Sequence, residues 1–320
     1  MRKPYVYVTR KLPEETLDAL SQAAHIKMWD SEDQAVPRDV LVKEAAEADA
    51  LLVMLSDKID EEILSLPFLK VVANVAVGYD NIDLHAAKKH GVTITNTPDV
   101  LTDTTADLVF ALILASARRI VEAAEYVKSG KWNSWSPLLL AGTDVHHKRI
   151  GIVGMGRIGE AVAKRARGFD MEVLYHNRTR KLESEKNLGV IHAEFDELIE
   201  KADFVVNLAP LTPETQGMFG RDEFEKMKQS AIFINAGRGA SVDETALVEA
   251  LQNKQIAGAG LDVYEKEPVD SSHVLLSMPN VTALPHIGSS SVETRLAMAA
   301  LAAANIEAVL EGKHAKTPVI

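Results

Sequence analysis

The chain has 320 residues, of which 47% are hydrophobic and 25% are charged, an ordinary composition for a globular protein. Its formal net charge of -11 argues against a broad nucleic-acid-binding surface, because phosphate contacts require an excess of Lys and Arg. The sequence contains no cysteine, which excludes disulfides, thiolate metal sites and cysteine nucleophiles.

No segment of the sequence predicts a membrane span or a targeting signal. The longest apolar run, Leu108–Ala117, is too short to cross a bilayer, and the N-terminal residues lack the apolar core of a signal peptide. His146 and His147 are adjacent, so they point in different directions on any regular element and predict no metal site. We therefore expect a cytoplasmic protein with no nucleic-acid, membrane or metal partner.

The first hundred residues alternate between short apolar runs and helical patterns. The runs Tyr5–Arg10, Ala48–Leu55 and Leu69–Ala76 are nearly continuous, as is typical of strands covered on both faces. Helical spacing of apolar residues between them predicts a parallel α/β domain. A stretch without Pro or Gly, residues 102–128, then predicts one long helix that connects two domains.

A second series of strands opens near Arg149. Helical segments such as Arg157–Gly168 and Asp243–Asn253 separate most of its members, and Ser241 and Glu244 have the spacing of a capping box. The predicted strands lie within RIGIVG, MEVLYH, DFVVNLA, AIFINAG, IAGAGLDV and VTALPH. The fold class is therefore α/β with two doubly wound parallel-sheet domains. A final helical segment is expected to return to the first domain, which gives a discontinuous domain of residues 1–100 and 290–320 and a second domain of residues 101–289.

The segment GIVGMGRIG places Gly154, Gly156 and Gly159 in the G-x-G-x-x-G spacing. It directly follows the predicted strand Arg149–Val153 and opens a helical segment, which is the context expected of a dinucleotide-binding turn. The first glycine permits the tight turn, the second lets the backbone approach a pyrophosphate, and the third allows close packing of helix on strand. The alternative is a glycine-rich turn without a ligand.

The next predicted strand ends in YHNRTRK, residues 175–181. Many dinucleotide-binding proteins carry an acidic residue at this position that hydrogen-bonds the ribose. Arg178 and Arg180 would instead form charge-assisted hydrogen bonds with a 2′-phosphate, and Lys181 could add a further positive charge. The stretch therefore predicts a preference for NADP(H), with weaker use of NAD(H). Two alternatives stay open: a solvated basic loop, and an NAD enzyme in which Asn177 hydrogen-bonds the ribose.

Three further motifs fall at the carboxyl ends of predicted strands, where ligands bind in doubly wound sheets. They are NAGRG, LDVYEKEP and LPHIG, which begin at Asn235, Leu261 and Leu284. Together they supply an arginine, carboxylates and a histidine, the groups needed to bind a carboxylate-bearing substrate and to transfer a proton. Each residue alone is more often a surface or turn residue, and only their joint occurrence beside a phosphate-binding turn favours a catalytic site.

In order and spacing these motifs resemble the D-isomer-specific 2-hydroxyacid dehydrogenases over nearly the whole chain. The resemblance implies a flavodoxin-like substrate domain and a Rossmann cofactor domain, with the active site in the cleft between them. It implies that Arg238 holds the substrate, that His286 donates the proton with Glu267 as its carboxylate partner, and that Asp262 contacts the nicotinamide end of the cofactor. Further cofactor contacts implied by position are Arg157, Ile158, Asn177, Thr179, Pro210, Ala236 and Gly288.

Within that family the chain looks most like the NADPH-using glyoxylate/hydroxypyruvate reductases. The similarity implies that backbone N–H groups of Val77 and Gly78 bind the substrate carboxylate and that Leu55 lines a small pocket. It also implies a homodimer in which Trp135 reaches the partner's active site. Plain hydrophobic packing of Trp135 and Trp132 is the alternative.

The expected reaction is NADPH-dependent reduction of a small 2-oxo acid, glyoxylate or hydroxypyruvate, to glycolate or D-glycerate. A protonated His286 would donate to the carbonyl oxygen, and Glu267 would favour the imidazolium. Two alternatives are a reductase of 2-ketogluconate or another 2-oxo acid, and a dinucleotide-sensing interaction protein without turnover. The complete Arg, Glu and His set argues against the sensor.

Overall fold

A computed structural model describes residues 2–320 of the chain. The chain divides into two compact units. Unit 1 consists of Met1–Leu101 and Ser290–Ile320, and unit 2 consists of Thr102–Ser289. In the described part of the chain, no helix combines the length and the apolar character that crossing a membrane requires.

Strands and helices alternate along most of the chain. The strands are β1 Tyr5–Val8, β2 His25–Met28, β3 Ala50–Val53, β4 Val71–Asn74, β5 Thr93–Thr95, β6 Arg149–Val153, β7 Glu172–His176, β8 Ile191–His192, β9 Phe204–Asn207, β10 Ile232–Asn235, β11 Gly258–Leu261 and β12 Val281–Ala283. The α-helices are α1 Asp18–Ala23, α2 Arg38–Ala45, α3 Glu61–Leu64, α4 Leu84–His90, α5 Thr102–Ala117, α6 Ile120–Lys128, α7 Arg157–Arg167, α8 Leu182–Leu188, α9 Phe195–Lys201, α10 Arg221–Lys226, α11 Glu244–Gln252, α12 Val274–Ser277 and α13 Val292–Leu310. Short 3-10 helices span Glu14–Leu17 and Gly239–Ser241.

Unit 1 is built on a parallel sheet with the strand order β2-β1-β3-β4-β5. This is the flavodoxin-like order of a doubly wound sheet. Every residue of the central strands β3 and β4 is buried, which explains why their sequences are continuous apolar runs rather than alternating ones. Helix α13, from the end of the chain, packs against β4 and α1 and so completes the first unit.

Unit 2 is built on a parallel sheet with the strand order β12-β11-β10-β9-β6-β7-β8. Strand β6 lies between β7 and β9, so the strand order reverses at β6. In doubly wound sheets, ligands bind outside the carboxyl ends of the strands at such a reversal. The fold class expected from the sequence, two parallel α/β domains with one of the Rossmann type, is confirmed.

The expectation of one continuous helix over residues 102–128 is wrong. Helix α5 ends at Ala117 and α6 begins at Ile120, with Arg119 between them in a left-handed conformation (φ 53°). The Ala117 carbonyl accepts a hydrogen bond from the N–H of Thr143, and the backbone at Gly142 passes so close that an added Cβ would lie 2.1 Å from that oxygen. A tertiary contact therefore replaces the next turn of helix.

The predicted capping box at Ser241 and Glu244 is also wrong. The N-cap of α11 is Asp243, whose side chain accepts a hydrogen bond from the N–H of Ala246 at 3.1 Å. The hydroxyl of Ser241 instead donates to the carbonyl of Arg238 at 2.6 Å. An aspartate two residues nearer to the helix thus takes over the capping, and the serine is left to shape the loop that precedes the helix.

Candidate active site

The glycine-rich turn between β6 and α7 leaves space for a phosphate. Gly154 has φ 102°, and a Cβ there would lie 2.7 Å from the backbone of Leu208 and Ala209, so only glycine fits without movement. A Cβ at Gly159 would lie 2.5 Å from the carbonyl oxygen of Gly154. At Gly156, the N-cap of α7, a Cβ would meet nothing within 4 Å and no side chain caps the helix. The helix therefore presents open N–H groups to a site that fits a pyrophosphate.

The basic loop of residues 177–181 begins directly after β7, whose last residue, His176, pairs with Val153 of β6. It therefore lies beside the glycine-rich turn. Arg178 is exposed in this loop. The side chain of Asn177 donates to the carbonyl of Thr179 at 2.9 Å, which tightens the loop.

Arg180, however, has a partner within the chain. Its Nε and Nη2 atoms donate to the two carboxylate oxygens of Glu185 at 2.7 and 2.8 Å. Glu185 also accepts from the hydroxyl of Tyr175 at 2.7 Å, and that hydroxyl accepts from the N–H of Lys181 at 2.7 Å. The hydrogen bond from Arg180, followed by that from Tyr175, lowers the pKa of Glu185 to about 2. Part of the predicted positive charge is therefore neutralised inside the protein.

Three loops that carry the predicted catalytic residues leave the same edge of the sheet. The parallel register aligns Asn235 of β10 with Leu261 of β11, and Leu261 with Ala283 of β12. Arg238 follows the first of these strands. A Cβ at Gly239 would lie 1.8 Å from the carbonyl of Tyr264, so the loops after β10 and β11 pack backbone against backbone.

His286 and Glu267 form a hydrogen-bonded pair. The Nδ1 atom of the imidazole lies 2.6 Å from Oε2 of Glu267, while Oε1 accepts from the N–H of Tyr264 at 3.0 Å. About a third of each side chain is exposed, 32% for His286 and 35% for Glu267. Burial alone would raise the pKa of Glu267, but the hydrogen bond and charge of His286, with a smaller contribution from the charge of Arg238, hold it below its ordinary value. The carboxylate therefore stays ionised and orients the ring, so that Nε2 points away from it.

The backbone of His286 is held in a left-handed conformation, φ 53°, which is uncommon for a residue with a side chain. The next N–H, that of Ile287, donates to Oδ1 of Asp262 at 2.8 Å. Asp262 is 1% exposed, and burial raises its pKa although the hydrogen bond from Ile287 opposes the shift. A Cβ at Gly288 would lie 3.2 Å from its Oδ2 atom. Asp262 thus fixes the loop that carries the histidine, a role that the sequence did not predict.

Two buried asparagines shape the loops after β9 and β10. Asn207 and Asn235 are 0% and 1% exposed, and the amide of Asn207 donates to the side-chain oxygen of Asn235 at 3.0 Å and to the hydroxyl of Ser241 at 2.7 Å. The amide of Asn235 donates to the carbonyl of Arg238 at 3.1 Å. Sequence reasoning missed these positioning residues, although an asparagine that ends a buried apolar strand is a usable signal.

The remaining predicted cofactor residues also lie at this edge of unit 2. Arg157 and Ile158 form the first turn of α7, Pro210 follows β9, and Ala236 follows β10, where its N–H donates to the carbonyl of Asn207 at 3.2 Å. Trp135 is different, because it lies in the segment after α6 and is 79% exposed. The alternative that Trp135 packs inside its own chain is wrong.

In unit 1, the predicted substrate residues lie at the carboxyl edge of neighbouring strands. Leu55 follows β3, and the Val77–Gly78 turn follows β4. Asn74 donates to the carbonyl of Gly78 and Asn96 donates to the carbonyl of Val77, both at 2.8 Å. Asn81 donates to the carbonyls of Met54 and Asp57 at 3.2 and 3.0 Å, and so ties the loop after β3 to the turn after β4.

A cavity of about 570 Å³ lies elsewhere in unit 2. Its lining includes Ile232, Gly258 and Val281, the first residues of β10, β11 and β12. It therefore opens at the amino ends of the strands, on the edge opposite His286, and is not part of the candidate site. Among the described residues, no group of three or more His, Cys, Asp or Glu side chains could hold a metal ion.

The fold and the glycine-rich turn define unit 2 as a dinucleotide-binding domain of the Rossmann type, and comparison with known proteins agrees. The family model "D-isomer specific 2-hydroxyacid dehydrogenase, NAD binding domain" matches residues 110–288. The chain is similar to the glyoxylate reductase of Thermococcus litoralis, with 48% identity over 97% of this chain and 95% of the relative. The glyoxylate reductase of Korarchaeum cryptofilum is 46% identical over 97% of this chain and 94% of that protein.

Solved structures show the same likeness. The TT0316 protein from Thermus thermophilus has a TM-score of 0.92 and 44% identity, and the match covers 99% of this chain and 100% of that one. An NADPH-dependent glyoxylate/hydroxypyruvate reductase from Sinorhizobium meliloti, solved with NADP and malonate, has a TM-score of 0.85 and 34% identity over 99% of this chain and 97% of that one. The chain therefore belongs to the D-isomer specific 2-hydroxyacid dehydrogenases, a family of oxidoreductases.

Proposed function

We propose that this protein catalyses the NADPH-dependent reduction of glyoxylate or hydroxypyruvate to glycolate or D-glycerate. The observation that carries the proposal is the His286–Glu267 pair, 2.6 Å apart, on the same sheet edge as a glycine-rich turn that fits a pyrophosphate. Relatives that share nearly half of its residues are glyoxylate reductases, which favours a small 2-oxo acid as substrate.

The bound cofactor would supply the hydride, and the residues of the chain would manage the charge that develops on the substrate. Glu267 accepts a hydrogen bond from the Nδ1–H group of His286, which orients the ring so that the Nε2 proton can pass to the carbonyl oxygen. Arg238 offers a planar fork of donors that suits a carboxylate and polarises the neighbouring carbonyl. Asp262 keeps the histidine loop in position through its hydrogen bond to the N–H of Ile287.

The Val77–Gly78 turn of unit 1 is proposed as the anchor of the substrate carboxylate. The carbonyl of Val77, whose peptide plane contains the N–H of Gly78, accepts a hydrogen bond from the amide of Asn96. The carbonyl of Ala76, whose peptide plane contains the N–H of Val77, accepts a hydrogen bond from the N–H of Thr97 at 2.8 Å. These two hydrogen bonds hold the direction of both N–H groups. Leu55 is proposed as an apolar wall of a small pocket, which would favour acids with short side chains.

The preference for NADPH is supported by Arg178, which is exposed beside the glycine-rich turn, and by the absence of an acidic residue at the end of β7. The Sinorhizobium meliloti reductase, which is similar over nearly the whole chain, was solved with NADP. A carboxylate at this position would repel a 2′-phosphate, whereas a guanidinium would bind it.

We also propose that the protein forms a homodimer through α6 and the segment that follows it. None of the residues of α6 is buried, although one of its faces is apolar. The exposed large apolar side chains of this region are Ile120, Val121, Val127, Trp132, Trp135, Leu138 and Leu139. A group of exposed large apolar side chains in one segment is typical of an interface between subunits. Sedimentation of the wild type and of Trp135→Ala tests the proposal, which a monomeric wild type would overturn.

The function is tested by following the 340 nm absorbance of reduced nicotinamide with glyoxylate or hydroxypyruvate and either NADPH or NADH. Wild type should oxidise NADPH rapidly with at least one acid, and His286→Ala should lose most of kcat while it still binds cofactor. His90→Ala is a matched control, because His90 lies 3.4 Å from Glu61 in an exposed pair of unit 1 and should leave kcat unchanged.

Two results would contradict parts of the proposal. Activity confined to longer 2-oxo acids would retain the mechanism and exclude the substrate assignment. Tight cofactor binding without turnover of any 2-oxo acid would exclude the enzyme and favour a dinucleotide sensor.

A further inference from the structure

We propose that Glu185 limits the preference of this enzyme for NADPH over NADH, because it neutralises one of the two arginines in the basic loop. The inference rests on the proposed use of NADPH and refines the site for the 2′-phosphate. In this arrangement Arg178 provides the guanidinium that recognises the phosphate, and Arg180 serves the fold of the loop.

Arg180 and Glu185 form an ion pair with well-defined geometry. Two parallel hydrogen bonds of 2.7 and 2.8 Å join the guanidinium to the carboxylate, which is the bidentate arrangement that both groups prefer. The carboxylate is only 18% exposed, whereas the guanidinium is 60% exposed. Glu185 is therefore held in place by the protein, and Arg180 lies over it from the solvent side.

Tyr175 holds the carboxylate of Glu185 in its position beside Arg180. Its ring is fully buried in the core of unit 2, so its hydroxyl has one position at the end of β7. That hydroxyl donates to Glu185 and accepts from the N–H of Lys181. These hydrogen bonds connect the end of β7, the end of the basic loop and α8. The two ends of the basic loop are therefore held together by one network.

Arg178 has a different environment. It is exposed, and no ion pair or hydrogen bond of its side chain occurs within the described residues 2–320. Glu214 is influenced by the charge of Arg178: its pKa is lowered first by a hydrogen bond from Thr212, then by its own backbone, and to a smaller extent by Arg178. The guanidinium of Arg178 is therefore available to a phosphate, whereas that of Arg180 is engaged.

The electrostatic consequence applies to one cofactor only. A 2′-phosphate placed at this loop would meet the positive charge of Arg178 and Lys181 but also the negative charge of Glu185. The ribose of NADH carries no charge at that position, so Glu185 has little effect on it. Removing the charge of Glu185 while retaining its shape should therefore strengthen the binding of NADPH selectively.

The experiment measures the dissociation constants of NADPH and NADH by nucleotide fluorescence titration, which does not depend on turnover. For Glu185→Gln we expect NADPH to bind roughly two- to fivefold more tightly, with NADH unchanged, in line with the modest strength of exposed ion pairs. Glu183→Gln is the matched control, because Glu183 is an exposed residue of the same helix, α8, and should change neither constant.

Two arginine variants complete the test. Arg178→Gln should weaken NADPH binding at least tenfold more than NADH binding, whereas Arg180→Gln, which leaves the charge of Glu185 uncompensated, should weaken NADPH binding only about two- to fivefold relative to NADH. Equal effects of Glu185→Gln and Glu183→Gln, or a loss of NADPH binding in Arg180→Gln as large as that in Arg178→Gln, would overturn the inference. If Arg178→Gln weakens the binding of NADPH and NADH alike, the assignment of NADPH as the preferred cofactor is wrong. A thermal unfolding curve of each variant verifies that the variant is folded.

Discussion

Replacing Glu267 by Gln should slow reduction without removing the site. In the wild type the carboxylate accepts from both Tyr264 N–H and His286 Nδ1. A glutamine can retain only one of these roles as an acceptor through its oxygen. If that oxygen stays on Tyr264, the amide N–H₂ group faces the imidazole and offers no acceptor to an N–H at Nδ1.

The size of the effect follows from the distance and the exposure of the pair. Unit charges 2.6 Å apart attract by about 6 kcal/mol at an effective dielectric constant of 20. About a third of each side chain is in contact with solvent, so much of this attraction is screened. A hydrogen bond to a charged group contributes about 1.5–3 kcal/mol, so we expect kcat to fall roughly 10- to 150-fold.

The pH profile of reduction separates this mechanism from a general loss of structure. The pKa of Glu267 is lowered, so the stabilisation that its carboxylate provides is complete above its ordinary value of 4.5 and is lost only as the pH falls through the lower folded value. Wild-type activity should therefore persist on the acid side. In Glu267→Gln no carboxylate titrates at this position, so the fall of activity at low pH that follows protonation of Glu267 should be absent.

The measurement is kcat and kcat/KM for glyoxylate against pH, with saturating NADPH, together with the thermal midpoint and the affinity for NADPH. An unchanged kcat and an unchanged acid limb of the profile in a folded Glu267→Gln variant would refute the reasoning. A fall in kcat at every pH with no shift of the profile would show that Glu267 only orients the ring.

Further predictions concern the two turns that are proposed to bind anions. Gly156→Ala should leave the thermal midpoint nearly unchanged, because the added Cβ meets no atom within 4 Å, but it should weaken the binding of NADPH and NADH alike. Gly154→Ala should destabilise unit 2, because φ is 102° at this position and an added Cβ would lie 2.7 Å from neighbouring backbone. Equal effects of the two substitutions on stability would contradict this account. Asn81→Leu, which removes the amide that ties the loop after β3 to the Val77–Gly78 turn, should raise the KM for glyoxylate about tenfold with a smaller change in kcat and none in NADPH affinity. A change in kcat alone would place Asn81 outside substrate binding.

The parts of the fold that follow from sequence are those in which a local pattern and the tertiary structure agree. Buried strands such as β3 and β4 are continuous apolar runs because both faces are covered. Strand β2, HIKM, has no such pattern because it lies at the edge of its sheet and none of its residues is fully buried. The break at Arg119 leaves no local signal because its cause, the N–H of Thr143 on the Ala117 carbonyl, comes from a distant segment.

Some residues of the candidate site could be predicted from the sequence, and others could not. Residue types at the strand ends were sufficient to bring Arg238, Glu267 and His286 together as a hypothesis, because parallel strands deliver their carboxyl ends to one edge. The pairing of Arg180 with Glu185 was not predictable, since a basic run indicates charge but not which of its members is already neutralised. Acidic residues on the helix that follows such a run therefore have to be considered together with the run itself.

The left-handed backbone of His286 has a consequence for engineering. Glycine adopts this conformation without strain, while a residue with a side chain costs about 1–2 kcal/mol there. Selection for heat resistance alone would therefore favour glycine at the position proposed for the proton donor. If a library of variants is selected only for the fraction that stays folded after heating, well-folded but inactive proteins will be enriched. Stabilised variants of this enzyme therefore have to be selected for turnover as well.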